Sequence, residues 1–217
     1  MNVSKTVYEA LWQKWGPQYW WPATSQLEMM IGAILTQNTS WSQVEKAIQR
    51  LKDEKVLDIQ SLASIPSSQL ESWIKSAGYY RQKSFYIKGM CWTLIEKFKG
   101  SNKKLFLLET HELRNELLSW KGVGPETADS ILLYAAQRPV FVVDAYTRRF
   151  MSRHRWSPEN ESYEKLAERF TAELEKDHAL YNEYHALIVR LGKTYCRSKP
   201  HCESCPLKFL LIHPVSV

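Results

Sequence analysis

An all-α fold follows from three features of this 217-residue sequence. Leu27, Met30, Ile31, Ile34 and Leu35 recur at i, i+3, i+4, i+7 and i+8, the stripe of a helix that faces a core. The one β-branched apolar run, Val140 to Val143, is too short and too isolated to build a sheet. Finally, 44% hydrophobic and 24% charged residues supply a core and a surface, while 8 Gly and 9 Pro without an internal period exclude collagen-like, low-complexity and solenoid classes.

The elements follow in order. The stripe from Leu27 to Leu35 ends at Gln37-Asn38-Thr39-Ser40, whose side chains favour turns and helix starts. A second helix begins there and turns Val44, Ala47, Ile48 and Leu51 inward. Shorter helices are expected at Ser67 to Ser76, Phe85 to Phe98 and His111 to Trp120. Ser130 to Ala136 extends another, and Tyr163 to Glu175 and Tyr181 to Gly192 complete the set. No linker rich in Pro, Gly or Ser divides the chain.

No window approaches about 18 uninterrupted apolar residues, and Met1 to Gln18 lacks the apolar centre of a signal peptide. The expectation is a cytoplasmic, bacterial-type monomer with no membrane association. Four cysteines, Cys91, Cys196, Cys202 and Cys205, are too few and too unevenly spaced to staple a secreted fold of this size. The excess of 29 Lys and Arg over 23 Asp and Glu, a net charge of +6, points to an anionic partner without identifying it.

The most informative stretch runs from Leu118 to Leu133. One helix ends near Trp120, Gly122 and Gly124 bracket Val123, and Pro125 suits the first turn of a second helix whose apolar face is Ala128, Ile131, Leu132 and Ala135. Glycines at such a turn let a partner approach the backbone, and the helix start favours a phosphate. A plain helix–helix connection with glycines at positive φ explains the same residues. Further on, Phe141-Val142-Val143 leads into Asp144, either a helix N-cap or a carboxylate presented for chemistry.

Lys121-Gly122-Val123-Gly124 followed by Val143-Asp144 resembles the helix-hairpin-helix DNA glycosylases of the endonuclease III superfamily, over roughly residues 20 to 207. Within it the chain is most similar to bacterial 3-methyladenine DNA glycosylases. Trp20-Trp21-Pro22 precedes the first stripe, Leu35-Thr36-Gln37-Asn38-Thr39 ends it, and Glu126 stands where endonuclease III itself has its Schiff-base lysine. The resemblance implies two helical lobes with a DNA-binding cleft. Residues 26–140 would form one, with the helix-hairpin-helix at about 113–136, and 1–25 plus 141–217 the other.

It further implies a base-excision-repair enzyme on double-stranded DNA, nucleoid-associated, with Asp144 as catalytic carboxylate. An ionised carboxylate beside C1′ stabilises the oxocarbenium character that builds as an N-glycosidic bond breaks. A base alkylated at N3 is already cationic and leaves without strong acid catalysis. Glu126 cannot form a Schiff base, so the implied enzyme is monofunctional; a bifunctional glycosylase/lyase on oxidised pyrimidines and a non-catalytic DNA-binding protein are the alternatives. Trp20, Trp21, Pro22, Trp41 and Glu126 match the base pocket, where stacking on indole faces rewards a cationic purine by about 1 to 2 kcal/mol. Core packing for the tryptophans and a helix-dipole role for Glu126 are the plainer readings. Gln37 and Tyr79 match side chains that enter the vacated stack, ordinary packing being the plainer reading of Tyr79, and Asn38, Lys121, Gly122, Val123 and Gly124 are the further DNA-binding residues, the last four forming the hairpin.

Cys196, Cys202 and Cys205 resemble the superfamily's 4Fe-4S loop with two departures. The first gap holds five residues instead of six, and Leu211 stands at the fourth cysteine position. Cys91 falls in an expected helix and reads as a buried thiol. A cluster, another metal such as zinc completed by His201, His213 or water, and a vestigial loop all remain open.

Overall fold

The computed structural model describes residues 3–20 and 23–211. These form helices and loops with no strand among the described residues, and the chain divides into two compact units. One unit is the continuous stretch Trp21–Gln137; the other joins Met1–Trp20 to Arg138–Val217.

Within the continuous unit, Ser25 caps α2 (Gln26–Leu35) by accepting from the Glu28 amide, and Leu27, Met30, Ile31, Ile34 and Leu35 are buried. α3 (Trp41–Asp53) buries Val44, Ala47, Ile48 and Leu51, the residues its periodicity selects. Val44, Ile48 and Leu51 each contribute about 1.5 to 3 kcal/mol on leaving water. α4 (Ile59–Ser64), capped by Asp58, packs with α5 (Ser67–Trp73) against α6 (Tyr80–Phe98). α7 (Asn102–Leu105) leads to α8 (Thr110–Ser119), and α9 (Pro125–Ser130) passes into a π turn at Ile131–Ala135 that packs on α2.

Two expected helices are redrawn here. The one expected over Ser67 to Ser76 stops at Trp73, and a 3₁₀ turn (Lys75–Ala77) and Gly78 at φ 66° carry the chain round. α6 starts at Tyr80 instead of Phe85, because its first turns bury Lys83 and Ser84, polar residues that hide the apolar period.

In the unit built from both chain ends, α1 (Val3–Trp15) and α10 (Ala145–Arg153) pack against α12 (His178–Thr194), with α11 (Tyr163–Thr171) alongside. α11 ends four residues before the expected Glu175. Val140 to Val143 runs without secondary structure, and Phe141 stacks on Phe170 with ring centroids 4.1 Å apart. Gly192 of α12 lies under Tyr146 of α10: a Cβ there would stand 2.2 Å from the tyrosine ring. α1 closes the unit, with the Ser4 amide donating to Glu173 at 2.8 Å and the Tyr184 hydroxyl donating to the Ser4 carbonyl at 2.9 Å. No helix among the described residues is long and apolar enough to cross a membrane.

Candidate functional site

Asp144 is at once the N-cap of α10 and a buried carboxylate. Its Oδ1 accepts from the Thr147 amide at 2.7 Å and the Thr147 hydroxyl at 2.8 Å. Its Oδ2 lies 3.7 Å from Nε2 of His185 on α12. Burial pushes the carboxyl upward, yet His185 and the two Thr147 donors outweigh it and hold the pKa below the ordinary carboxylate range. The group is therefore ionised near neutrality, one oxygen fixed and the other turned to an imidazole. Such a carboxylate can stabilise a developing cation without first losing a proton. The start of α10 is set by the Tyr163 hydroxyl, which accepts from the Val143 amide at 3.2 Å, and by Arg148, which donates to the Glu161 carbonyl at 2.8 Å.

His185 went unnoticed in the sequence. It sits in the buried run Tyr184 to Val189, and a single histidine on an otherwise apolar face was the available signal.

In the other unit α8, the hairpin and α9 form the helix-hairpin-helix. The two glycines do different work there. Gly122 has φ +84°, and a Cβ on it would stand 2.3 Å from the Tyr86 ring. Gly124 is the extended N-cap of α9 at φ −94°, exposed, with nothing within 4 Å of the place its Cβ would take. The expectation of positive φ at both is thus corrected: Gly122 answers to conformation and packing, and Gly124 leaves open space for something outside. Val123 is buried, and Arg114 of α8 grips Asp129 of α9 through two nitrogens at 2.7 and 3.1 Å. Exposed Lys121 lies 5.3 Å from the Phe85 ring centroid.

Gln37 reaches this hairpin. Its amide donates to the Gly122 carbonyl at 2.8 Å and to the Thr127 hydroxyl at 3.0 Å. Neighbouring Asn38 is exposed at φ 52°, and Tyr79 is 69% exposed at φ 44°. Both side chains stand on left-handed backbone and point away from a core.

The expected base-pocket residues divide between the units. Trp20 is half-buried, with the Lys193 ammonium 5.3 Å from its ring centroid. Trp41 opens α3 and lines a cavity of about 530 Å³ with Glu28, Glu45, Lys46 and Lys52. Glu126 is exposed in the first turn of α9. Trp21 and Pro22 lie outside the described residues.

Cys196, Cys202 and Cys205 line one small cavity of about 20 Å³ together with Leu211. Burial, together with the neighbouring thiols, pushes the Cys202 and Cys205 thiols upward. The loop is held by α10: Arg149 donates to the Cys196 carbonyl at 2.7 Å, and Arg153 to the Ser198 carbonyl at 2.9 Å and to Cys196 Sγ at 3.4 Å. Three thiols with a leucine in the fourth position do not supply the ligand set of a four-thiolate iron–sulfur cluster. Among the described residues no three His, Cys, Asp or Glu side chains converge as a metal site, and His213 lies outside them. Cys91 is buried, as its helix position suggests.

The family described as HhH-GPD superfamily base excision DNA repair protein matches residues 31–176. A protein of Methanocaldococcus jannaschii assigned as a DNA repair glycosylase is 44% identical over 204 residues, covering 93% of this chain and 92% of its own. Endonuclease III of Thermotoga maritima is 30% identical over 186 residues, covering 85% and 82%. Among solved structures, the Helicobacter pylori 3-methyladenine DNA glycosylase bound to 1,N6-ethenoadenine is similar with a TM-score of 0.76 and 29% identity, covering 88% of this chain and 97% of that one. A non-covalent endonuclease III–DNA complex shares the fold, with a TM-score of 0.83 at 24% identity over 98% and 96% of the two chains.

Proposed function

Because the chain belongs to the HhH-GPD superfamily of base excision DNA repair proteins and is a DNA glycosylase, we propose that it releases alkylated bases of the 3-methyladenine type by hydrolysis alone, as a monomer on double-stranded DNA. The observation that carries the monofunctional half is Glu126, exposed in the first turn of α9 where a lyase relative presents an amine. A carboxylate there cannot attack C1′ to form a Schiff base, so the pathway stops at an abasic site.

In this reading Asp144 supplies the charge that the sugar cation needs, and its preset ionisation removes a proton-transfer step. Thr147 fixes Oδ1, and His185 stands 3.7 Å from Oδ2. Lys121 and the Gly122–Gly124 backbone take a phosphate with Asn38 at the DNA beside them, and exposed Tyr79 enters the space the base vacates, while Gln37 stays on the hairpin through the Gly122 carbonyl and the Thr127 hydroxyl. By resemblance to the 3-methyladenine enzymes, Trp20, Trp21, Pro22 and Trp41 are the candidates for the aromatic surface that favours a cationic purine. Likeness to the H. pylori 3-methyladenine enzyme supports the alkylbase half.

Two incubations test both halves. A duplex treated with a methylating agent should lose 3-methyladenine on exposure to the protein, and an abasic duplex with borohydride should yield no covalent adduct. A trapped adduct establishes instead the bifunctional reading, which the Thermotoga endonuclease III supports. No release of any methylated base removes the alkylbase reading.

A further inference from the structure

Lys83 is a cation almost wholly out of water, 2% exposed, in the first turns of α6. Its ammonium has three hydrogens and donates to three carbonyls: Leu35 at 2.9 Å, Gln37 at 2.7 Å and Ala77 at 2.8 Å. Two acceptors belong to the end of α2 and the loop after it, where helix carbonyls lack partners and the dipole favours positive charge. The third closes the 3₁₀ turn that precedes Gly78 and Tyr79. A buried ammonium so fully satisfied is costly to disturb, since each abandoned carbonyl would remain out of water.

The two segments it joins are those that carry Gln37 and Asn38 on one side and Tyr79 on the other. Gln37 in turn holds the hairpin through the Gly122 carbonyl, and the Ser76 hydroxyl donates to the Gln43 carbonyl at 2.9 Å, which ties the 3₁₀ turn to α3, the helix after the loop. We propose that Lys83 is a positioning residue for DNA engagement, clamping the Leu35–Asn38 loop, whose Gln37 holds the hairpin, to the Ala77–Tyr79 turn and so fixing where Tyr79 enters the duplex. This rests on the reading of Tyr79 as an inserted residue. Burial lowers the Lys83 pKa to about 8, and above that pH two remaining hydrogens serve three carbonyls.

The experiment uses a duplex with an abasic analogue and 2-aminopurine as the orphaned base opposite it, so that fluorescence at saturating protein reports unstacking and no base is cut. Lys83→Met, Gln37→Ala, Tyr79→Ala and their combinations are compared with the wild type, each first checked for helix content. Lys83→Met is expected to reduce the saturating signal about tenfold, and adding Tyr79→Ala to it to change little more, because residues in one network are not additive. A wild-type signal from Lys83→Met, or a full additional Tyr79→Ala loss in that background, overturns the proposal. Should Lys83→Met fail to fold, the Gln37→Ala and Tyr79→Ala pair in the wild-type background decides: coupled losses support the clamp, and independent losses overturn it. Failure of the wild type to release methylated bases would overturn the substrate reading and leave this result standing.

Discussion

Asp144 carries two duties that usually fall to different residues, and they reinforce each other. Capping α10 requires an oxygen that accepts from the Thr147 amide, and the same hydrogen bond helps keep the carboxyl charged in a place where burial opposes charge. Asp144→Asn retains a capping oxygen and removes the charge. It should therefore keep the fold and DNA affinity while base release falls about 10²- to 10³-fold, the scale of losing one preorganised electrostatic group; single-turnover release and filter binding on the same sample separate the two. The pH dependence has a definite sign. Folding lowers the Asp144 pKa, so the unfolded chain takes up that proton first. The carboxylate's contribution to stability is complete above its unfolded value of about 3.9 and is lost as pH falls through the lower folded value. Acid melts should show wild type and Asp144→Asn converging in that window, and a difference that instead grows on acidification contradicts the assignment.

The hairpin offers a comparison in which two glycines two residues apart should answer differently to the same methyl group. Gly122→Ala meets the Tyr86 ring and a left-handed backbone, and should cost about 1 to 3 kcal/mol in denaturant melts. Gly124→Ala meets neither and should leave stability within about 0.5 kcal/mol, while duplex affinity drops because the added group stands where a phosphate would come. Equal stability losses would show that Gly124 serves the fold. The sequence announced this hairpin, as it did α2 and α3, because Gly, Pro and a dense apolar stripe act locally. α1 was not announced, and α10 only at its start, through Asp144 as a candidate N-cap. α1 buries only Ser4, Val7 and Leu11, and α10 only Thr147, Phe150 and Met151, patterns too sparse to rise above their polar and aromatic neighbours. The candidate site was legible where it is local, at Asp144 and the hairpin, and illegible where folding assembles it: His185 comes from 41 residues further along, and Lys83 meets its carbonyls across two turns.

Taken entire, the chain keeps its carboxylate in a unit assembled from both ends and its hairpin in the stretch between them. The cysteine loop belongs to the former, tied by Arg149 and Arg153 to the helix that Asp144 caps. Replacing Cys196, Cys202 and Cys205 together by serine, or treating the protein with an iron chelator, should change base release by less than about twofold, and visible absorbance should show no cluster; a brown sample that loses activity on chelation refutes this. In the same unit, α12 brings His185 to the carboxylate, and its Gly192 admits the Tyr146 ring. Gly192→Ala should cost about 1 to 3 kcal/mol by overpacking and weaken base release more than it weakens DNA affinity. The missing methyl at that position thus works as a spacer gauge. Seven residues from His185, about two turns down the helix, it lets α12 close on the helix that Asp144 caps, so a change of one carbon on the far stretch of a rod is expected to retune a charge that it never touches.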